Sequence, residues 1–328
     1  MQIKNKTILK RCCCVILTLG ILFGALKGLS FLVTPRDDTT KAGMYYPDGR
    51  GFYSYPQNSI DVFVIGNSDS YCGFSPMELW HNYGFTSYNS GEPEQRATQG
   101  LNMLKEILTR HKPKVVLLDL DEIFEGKNTI GNTFSDIFSY EFPIFNYHNR
   151  WKTLDLSSAF QETNYTNQKS SIKIGGQHLN SKIKAYTGQN NMKKNSSFVS
   201  IPWASKYAMD QMQKLCQENG AAFVLIDVPA AITWTGARHD AAKAYAESKG
   251  IPFLDLNTDL DSMGFSWETD TMDAGYHINV VGAAKVTNYL GEYLKQNYSL
   301  ADHRSDSDYS FWNDNYQIYE QAVQKSSS

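Results

Sequence analysis

Residues 61–73 read DVFVIGNSDSYCG, an apolar run that ends in Gly66, Asn67 and Ser68. A short, continuous apolar run is typical of a strand that is buried on both faces of a parallel sheet. Glycine at the end of the strand permits a sharp turn, and open α/β folds place their sites at the carboxyl ends of strands. The pattern therefore predicts that Ser68 is presented at a functional edge, although a turn residue or a helix cap would show the same pattern.

A catalytic Ser68 requires two partners, because a serine hydroxyl is a weak nucleophile unless a base removes its proton and an acid orients that base. Asp273 and His277, in the segment MDAGYHIN, can supply both. They are four residues apart, a spacing that brings both side chains to one face of a helix. In a loop, the same spacing leaves open whether the two side chains meet.

Further apolar runs predict an α/β domain over residues 60–297 with a five-stranded parallel sheet. Strands and helices alternate in the order expected for right-handed crossovers. After the first strand, the predicted strands cover residues 86–89, 114–121, 221–229 and 251–256, and the predicted helices cover about 75–82, 101–111, 204–218, 237–249 and 280–296. Residues 122–200 interrupt this alternation and predict an inserted, substrate-facing subregion. Residues 298–328 predict a carboxyl-terminal helix and tail, with a short helix over 298–320 that packs Trp312, Tyr316 and Tyr319 on the domain.

The amino terminus combines a basic head, residues 1–11, with an apolar segment, residues 12–33. About 20 apolar residues suffice to span a bilayer as a helix, and Lys27 can extend its ammonium group to the outer interface. Because the basic residues precede the segment, we expect a single-pass membrane protein whose carboxyl-terminal domain is extracytoplasmic. A cleaved signal peptide is the alternative, but no clear small-x-small cleavage site follows GALKGLS. Residues 34–59 predict a linker between membrane and domain.

The composition argues against several functions. The first 33 residues hold five basic and no acidic residues, whereas the whole chain holds 31 basic and 34 acidic ones, so the remainder is acidic and nucleic acid is not an expected partner. Only Cys72 and Cys216 lie beyond the apolar segment, which is too few for a disulfide framework. No CxxC or HExxH motif occurs, and we therefore expect neither a metal nor a cofactor.

Several motifs together resemble a known superfamily. GNSDS follows the first strand, YNSGEPEQ the second, LLDLDEIF forms the third, YHNRW lies in the insertion, and D-x-x-x-H-x-N-x-x-G precedes the last long helix. This order resembles the SGNH/GDSL hydrolases, and within them the membrane-anchored DltD-like group of bacterial cell-surface proteins. The resemblance covers about residues 60–320. It implies a flavodoxin-like three-layer fold, with Ser68 as nucleophile, His277 as base and Asp273 as the orienting acid.

The superfamily usually has D-x-x-H and a Gly-x-Asn block after the third strand, but this chain has D-x-x-x-H and acidic residues, among them Asp119 and Asp121. Acidic groups cannot stabilise a developing oxyanion. We therefore expect the donors to be the N–H groups of Ser68 and Gly91 and the amide of Gln95, although Gly91 and Gln95 also suit a turn and a helix surface. Asp119 and Asp121 are expected to cap the next helix or to bind the Ser68 turn.

Four residues are candidates for substrate binding. They are Asn67 beside the nucleophile and His148, Arg150 and Trp151 of the insertion. Trp151 suits stacking on a sugar face, and Arg150 suits a bidentate contact with a carboxylate or phosphate. Packing of the insertion onto the sheet is the alternative for both.

The resemblance implies a serine O-acyltransferase or esterase that acts outside the cytoplasm on acyl groups, most simply acetyl, of a cell-surface polysaccharide or teichoic acid. Acyl donors are cytoplasmic, so a transferase would need a membrane-bound O-acyltransferase as partner. Gly20, Gly24 and Gly28 form a small-residue stripe that suits such helix packing. The alternatives are a catalytically idle partner of that acyltransferase and a glycan-binding module. The sequence leaves transferase and hydrolase equally open.

Overall fold

A five-stranded parallel sheet organises the protein, as the sequence predicts. The computed structural model describes residues 2–39, 42–152, 154–167, 169–189, 192 and 198–327; the other positions of the predicted head, linker, insertion and tail lie outside these described residues. The strands are β1 (Val62–Ile65), β2 (Ser87–Asn89), β3 (Val115–Asp119), β4 (Ala222–Asp227) and β5 (Phe253–Asp255). Their spatial order is β2-β1-β3-β4-β5, and each neighbouring pair is parallel. The chain adds β2 on one side of β1 and the later strands on the other side. The topological switch point therefore lies between β1 and β3, the position at which such folds form their sites.

The helices alternate with these strands and flank both faces of the sheet. They are α1 (Gln2–Val33), α2 (Ser68–Gly73), α3 (Pro76–Tyr83), α4 (Ala97–Arg110), α5 (Ile130–Glu141), α6 (Ile144–Tyr147), α7 (Ser170–Lys173), α8 (Trp203–Glu218), α9 (Gly236–Lys249), α10 (Val280–Asn297) and α11 (Phe311–Ser327). Two predicted helix starts carry the caps that the sequence indicates. The Ser75 hydroxyl accepts a hydrogen bond from the Glu78 N–H, and the Asn279 side chain accepts bonds from the N–H groups of Val281 and Gly282.

Two hydrophobic cores lie on opposite faces of the sheet, because side chains alternate along each strand. Phe63, Val116 and Leu225 belong to the core that α4, α8 and α9 cover. Val64 and Leu117 belong to the core that α10 covers. The molecule is therefore a three-layer α/β structure whose strands are buried on both faces, which explains the continuous apolar runs in the sequence.

Only one of the described helices is long and apolar enough to cross a membrane, the segment Thr7–Val33 within α1. No residue in the most apolar part of this helix is buried by the rest of the protein. By length and composition this helix fits a membrane anchor, and it equally fits a signal sequence.

The segment before residue 60, the predicted start of the domain, already packs into the core. Phe52 is fully buried and makes edge contacts with the rings of Phe63 and Tyr88. Arg50 forms ion pairs with Glu92 and Glu106. Aromatic residues in a polar, irregular stretch thus fill a gap beside the sheet, and the described residues from about 44 onward belong to the domain rather than to a linker.

The carboxyl-terminal helix begins later and extends further than predicted. Residues 298–310 contain only a short 3-10 turn, and α11 runs from Phe311 to Ser327. Trp312 is fully buried and stacks on Trp80 of α3 at a centroid distance of 5.6 Å. Tyr319 is also buried, and its hydroxyl donates a 3.0 Å hydrogen bond to Glu78. The helix therefore packs on the domain as expected, mainly through α3.

We expect Phe52→Ala to destabilise the full-length protein in detergent by about 3–5 kcal/mol, because truncation of a fully buried ring leaves a cavity. Phe198, which is 92% exposed, provides the matched control, and Phe198→Ala should change the free energy of unfolding by less than about 0.5 kcal/mol. Denaturant titration followed by tryptophan fluorescence measures both. Equal stabilities of the two variants would contradict the placement of Phe52 in the core.

Candidate active site

Ser68 lies at the first position of α2, directly after the carboxyl end of β1. Asn67 caps this short helix, and its side-chain oxygen accepts a 2.9 Å hydrogen bond from the Asp69 N–H. Gly66 allows the turn because a Cβ at this position would lie 2.7 Å from the Asp119 Cβ. A larger residue would push β1 and β3 apart at their ends. The backbone thus holds the Ser68 hydroxyl at the edge of the sheet.

Asp273 and His277 lie in a loop rather than on a helix, and the loop itself brings them together. Ala274 and Gly275 have φ angles of 66° and 95°, so the chain turns back through two left-handed residues. The Gly275 N–H donates a 2.8 Å hydrogen bond to the Thr271 hydroxyl. The Asp273 carboxylate accepts a 2.7 Å bond from the His277 N–H. The extra residue of D-x-x-x-H is therefore accommodated by a tight turn.

Ser68, His277 and Asp273 form one continuous line of hydrogen bonds. The Ser68 Oγ is 2.8 Å from His277 Nε2, and His277 Nδ1 is 2.5 Å from Asp273 Oδ2. Because a carboxylate can only accept, it holds the ring proton on Nδ1 and leaves Nε2 as the acceptor for the serine proton. The structure thus brings the three predicted residues into the geometry of a nucleophile, a base and an orienting acid.

The electrostatics of the site favour a basic imidazole. The hydrogen bond with Asp273 raises the pKa of His277 above its ordinary value, against an opposing effect of burial. Partial burial of Asp273 would raise its pKa, but the hydrogen bonds from His277 outweigh this effect and lower it. Beside the nucleophile, burial and the charge of Asp121 raise the pKa of Asp69 to about 7. Asp69 therefore titrates near neutral pH.

A segment of the insertion, residues 180–186, supports the catalytic loop. The Lys184 N–H donates to the Thr271 carbonyl and the Ala274 N–H donates to the Lys184 carbonyl, each at 3.0 Å. Tyr186 packs against Gly275, where a Cβ would lie 2.9 Å from its ring. This part of the insertion is thus a strap that holds the turn between Asp273 and His277.

The triad opens into a cavity of about 300 Å³ with an acidic wall. The residues that line it are Asn67, Ser68, Asp69, Glu94, Asp121, Glu122, Glu125, Lys127, Thr233, Tyr276 and His277. Lys127 pairs with Glu94, while Arg238 pairs with Asp121 at 3.1 Å and Glu125 at 2.7 Å.

A larger cavity, about 470 Å³, lies between α4 and α5 and contains no member of the triad. Within the described residues, no group of three or more His, Cys, Asp or Glu side chains is arranged to hold a metal ion.

Two of the three predicted oxyanion donors are occupied elsewhere. The Gly91 N–H donates a 3.0 Å hydrogen bond to the Asn89 side chain, and the Gln95 amide donates to the Ser90 carbonyl at 3.3 Å. Neither Gly91 nor Gln95 is among the described residues that line the cavity beside Ser68. Gly91 thus takes the turn role that the sequence left open, whereas Gln95 is buried before the start of α4 rather than on a helix surface. The Ser68 N–H has no hydrogen-bond partner among the described residues and remains a candidate donor.

Of the four residues predicted to bind substrate, only Asn67 lines the cavity. Its amide nitrogen is 3.5 Å from Asp121, which confirms contact between Asp121 and the Ser68 turn. His148, Arg150 and Trp151 lie elsewhere, in a 3-10 turn that packs on α1, and Arg150 donates a hydrogen bond to the Val33 carbonyl. These three residues therefore do not line the cavity beside Ser68, because this part of the insertion folds against α1.

Sequence reasoning did not identify Tyr71, which lies three residues after Ser68 on α2. Burial raises the pKa of its phenol to about 12, against an opposing effect of the Ser68 hydroxyl. The phenol therefore keeps its proton at neutral pH. Tyr71 lines a neighbouring cavity of about 210 Å³ rather than the one beside Ser68, so it is a candidate donor to the oxyanion only through its place on α2 next to the Ser68 turn. The i, i+3 spacing is the signal in the sequence, but it is informative only once Ser68 is known to begin a helix.

Comparisons with known proteins give likenesses among solved structures only. No protein-family model matches the chain, and no curated protein matches it. Similar structures include a lipase/acylhydrolase from Enterococcus faecalis, at 14% identity over 74% of this chain and 99% of that one, with a TM-score of 0.38. A psychrotrophic esterase from Pseudoalteromonas has 10% identity over 72% and 97%, with a TM-score of 0.38. A GDSL-like lipase from Bacteroides thetaiotaomicron has 13% identity over 72% and 88%, with a TM-score of 0.35. The function proposed below rests on the geometry of the triad.

The raised pKa of His277 predicts the pH dependence of ester hydrolysis. Only neutral His277 can accept the Ser68 proton, so activity should fall as the pH falls through the raised pKa, and the acidic limb of kcat/KM should lie above about pH 6.5. Asp273→Asn should move that limb to lower pH and reduce kcat by roughly 10⁴-fold. Asp302→Asn, in an exposed ion pair, is the control and should leave the profile unchanged. An unshifted limb in Asp273→Asn would contradict the role of Asp273.

Tyr71→Phe should lower kcat while leaving KM nearly unchanged, because a donor to the oxyanion acts only in the transition state. The loss of one such donor costs about 10²–10³-fold in kcat. Steady-state kinetics with an activated acetyl ester measure the effect. Tyr46→Phe, a partly exposed phenol, is the matched control, and an unchanged kcat in Tyr71→Phe would exclude the phenol from catalysis.

Proposed function

We propose that the protein is an extracytoplasmic serine enzyme of the SGNH/GDSL type that transfers or hydrolyses O-acyl groups, most simply acetyl, of a cell-surface polysaccharide. One observation carries this proposal, the hydrogen-bonded line from Ser68 through His277 to Asp273 at the wall of an open cavity. The three groups match nucleophile, base and orienter in type, order and distance.

The geometry supports a two-step mechanism. His277 Nε2 takes the proton of Ser68 as Oγ bonds to the acyl carbon, and the N–H of Ser68 and the phenol of Tyr71 stabilise the resulting oxyanion. The C–O bond to the leaving group then breaks, and His277 returns the proton to the departing oxygen. In the second step His277 takes a proton from water or from a sugar hydroxyl, whose oxygen attacks the acyl-enzyme. Collapse of this second oxyanion releases the acid or the new ester and restores Ser68.

The charge of the cavity favours a neutral polysaccharide over a teichoic acid. Five acidic residues and one lysine line the cavity together with Ser68 and His277, and Glu122 and Asp121 are among these acidic residues. Phosphate groups of a teichoic acid would meet these carboxylates at short range, an unfavourable arrangement in a partly desolvated site. Hydroxyl groups of a sugar can instead donate hydrogen bonds to the same oxygens.

Catalysis is better supported than the two alternatives. A catalytically idle partner would tolerate a His277 that points away from Ser68, and a glycan-binding module would tolerate a buried Ser68. Instead Nε2 faces Oγ at 2.8 Å, and Ser68 is partly exposed to the cavity. The strap and the left-handed turn hold this alignment in place, as expected if His277 removes the proton of Ser68.

The proposal includes anchoring by α1 and a membrane-bound O-acyltransferase as partner. An acetyltransferase that works outside the cytoplasm needs a polytopic protein to pass the acyl group across the bilayer. The stripe of Gly20, Gly24 and Gly28 supports contact with such a protein, because a Cβ at any of the three positions would meet nothing within 4 Å.

Ser68→Ala should abolish labelling by a serine-directed fluorophosphonate and the gain of one acetyl group on incubation with an activated acetyl ester, as detected by mass spectrometry. The reason is that Ser68 is the only proposed acyl acceptor on the protein. Ser305→Ala, at an exposed surface serine, is the matched control and should keep full labelling. Labelling that persists in Ser68→Ala would exclude Ser68 as the nucleophile.

A further inference from the structure

Helix α5 has its polar side turned inward and its apolar side turned outward. Thr133 and Asp136 are buried, and Asp136 pairs with Arg96. On the opposite side Phe134 and Phe138, one turn apart, are 59% and 51% exposed. A helix on the surface of a soluble domain normally shows the reverse arrangement. The outer face of α5 therefore suits an apolar environment.

Further apolar side chains are exposed on the described residues 130–152 and 154–160, which together we call the foot. Its large exposed apolar side chains, with exposures from 50% to 73%, are Ile130, Phe134, Phe138, Phe145, Trp151, Leu156 and Phe160. Single exposed apolar residues need no explanation, but so many large ones within about 30 residues of the chain indicate an interaction site. Phenylalanine and tryptophan are the side chains that membrane-surface helices place at the lipid boundary.

The foot is in contact with the apolar helix α1 along its outer end. Phe23 packs edge-on against Phe142 at 5.6 Å, and Phe31 lies 5.7 Å from Phe160. The Ile144 N–H donates a 3.2 Å hydrogen bond to Ser30. These contacts join the exposed face of the foot to the surface of α1, which the rest of the protein leaves uncovered. Lipid that surrounds the outer end of α1 would therefore reach the foot.

Lys27 indicates the depth of this contact. Its ammonium group pairs with Glu141 at 3.2 Å and lies 4.9 Å above the Phe142 ring. An exposed ion pair is stable at the level of the headgroups, not within the hydrocarbon. Phe23 lies one turn nearer the bilayer centre, about 6 Å along the helix. That distance equals the depth to which interfacial apolar side chains sink, about 5–10 Å.

We propose that the foot docks into the outer leaflet of the bilayer that α1 crosses, with Phe134, Phe138 and Trp151 among the acyl chains just below the headgroups. This proposal rests on the anchoring role of α1 in the proposed function. The foot is expected to contact lipid rather than a membrane protein, because its apolar face is continuous with a helix that is itself exposed on its membrane-spanning part.

The length of α1 supports the same arrangement. With Lys27 at the outer interface, the apolar run from Cys12 to Leu26 spans only about 22 Å at the helical rise, less than the roughly 30 Å of a typical hydrocarbon core. A short span is accommodated by local thinning of the bilayer. Apolar side chains of the foot that enter the outer leaflet beside α1 would occupy the volume that thinning leaves.

The test uses the full-length protein in vesicles of phosphatidylcholine brominated near the carbonyl end of the acyl chains, with unbrominated vesicles as reference. Bromine quenches tryptophan fluorescence only on close contact. Comparison of wild type with Trp151→Phe gives the signal of Trp151, and comparison with Trp203→Phe gives that of a control, since Trp203 is 61% exposed and begins α8. We expect bromine to reduce the Trp151 signal by roughly half or more and to leave the Trp203 signal unchanged.

Three results would overturn the docking proposal, and each can be distinguished from a failure of the proposed catalysis by Ser68. Extraction of the protein by alkaline carbonate would refute anchoring by α1, and with it docking of the foot. Resistance to carbonate with an unquenched Trp151 would refute docking alone and favour a protein partner on this face. Equal quenching of Trp151 and Trp203 would indicate non-specific adsorption. Fluorophosphonate labelling of the same vesicles reports on Ser68 independently of all three results.

Discussion

The site depends on one carboxylate that holds a histidine from two directions. Asp273 accepts hydrogen bonds from both the backbone N–H and the ring Nδ1 of His277. Together these bonds fix the ring against Ser68, a residue 209 positions away in the chain. The turn through Ala274 and Gly275 makes the double contact possible, and the strap of residues 180–186 keeps that turn in place. Without this one interaction, the end of β1 would present a serine with no base.

Beneath the triad, burial disfavours the charged forms of several carboxylates. Burial and neighbouring acids raise the pKa of Asp119 and Asp227 well above the ordinary range. Burial also raises the pKa of Asp121, against the opposing charge of Arg238. The charge of Asp69 still acts on His277 and raises its pKa further. Burial thus works against the charged forms of the carboxylates at the strand ends, whereas the charge of Asp69 supports a basic imidazole.

Local patterns in the sequence predicted the sheet, the flanking helices and the residues of the triad, because each depends on nearby periodicity or on chemical type. Other features depend on distant partners. The meeting of Asp273 and His277 in a loop requires the strap, and the loss of Gly91 as a donor follows from the rotamer of Asn89. Phe52 is buried by strands that follow it in the chain. The sequence does not predict the foot, because its apolar residues face outward. Their orientation becomes clear only from the burial of Asp136 on the opposite side of α5.

A short connection links the foot to the cavity wall. After β3, the turn Asp121–Phe124 contributes Asp121 and Glu122 to the cavity, and α5 of the foot begins at Ile130. Asn128 fastens this connection, since its amide donates a 2.7 Å bond to the Glu122 carbonyl and accepts a 3.1 Å bond from the Ala97 N–H. If the foot docks into the bilayer, the triad therefore keeps a fixed orientation above the membrane. Such an orientation would suit the proposed reaction in either form, because both acyl donor and polysaccharide would meet the triad at a defined height above the membrane.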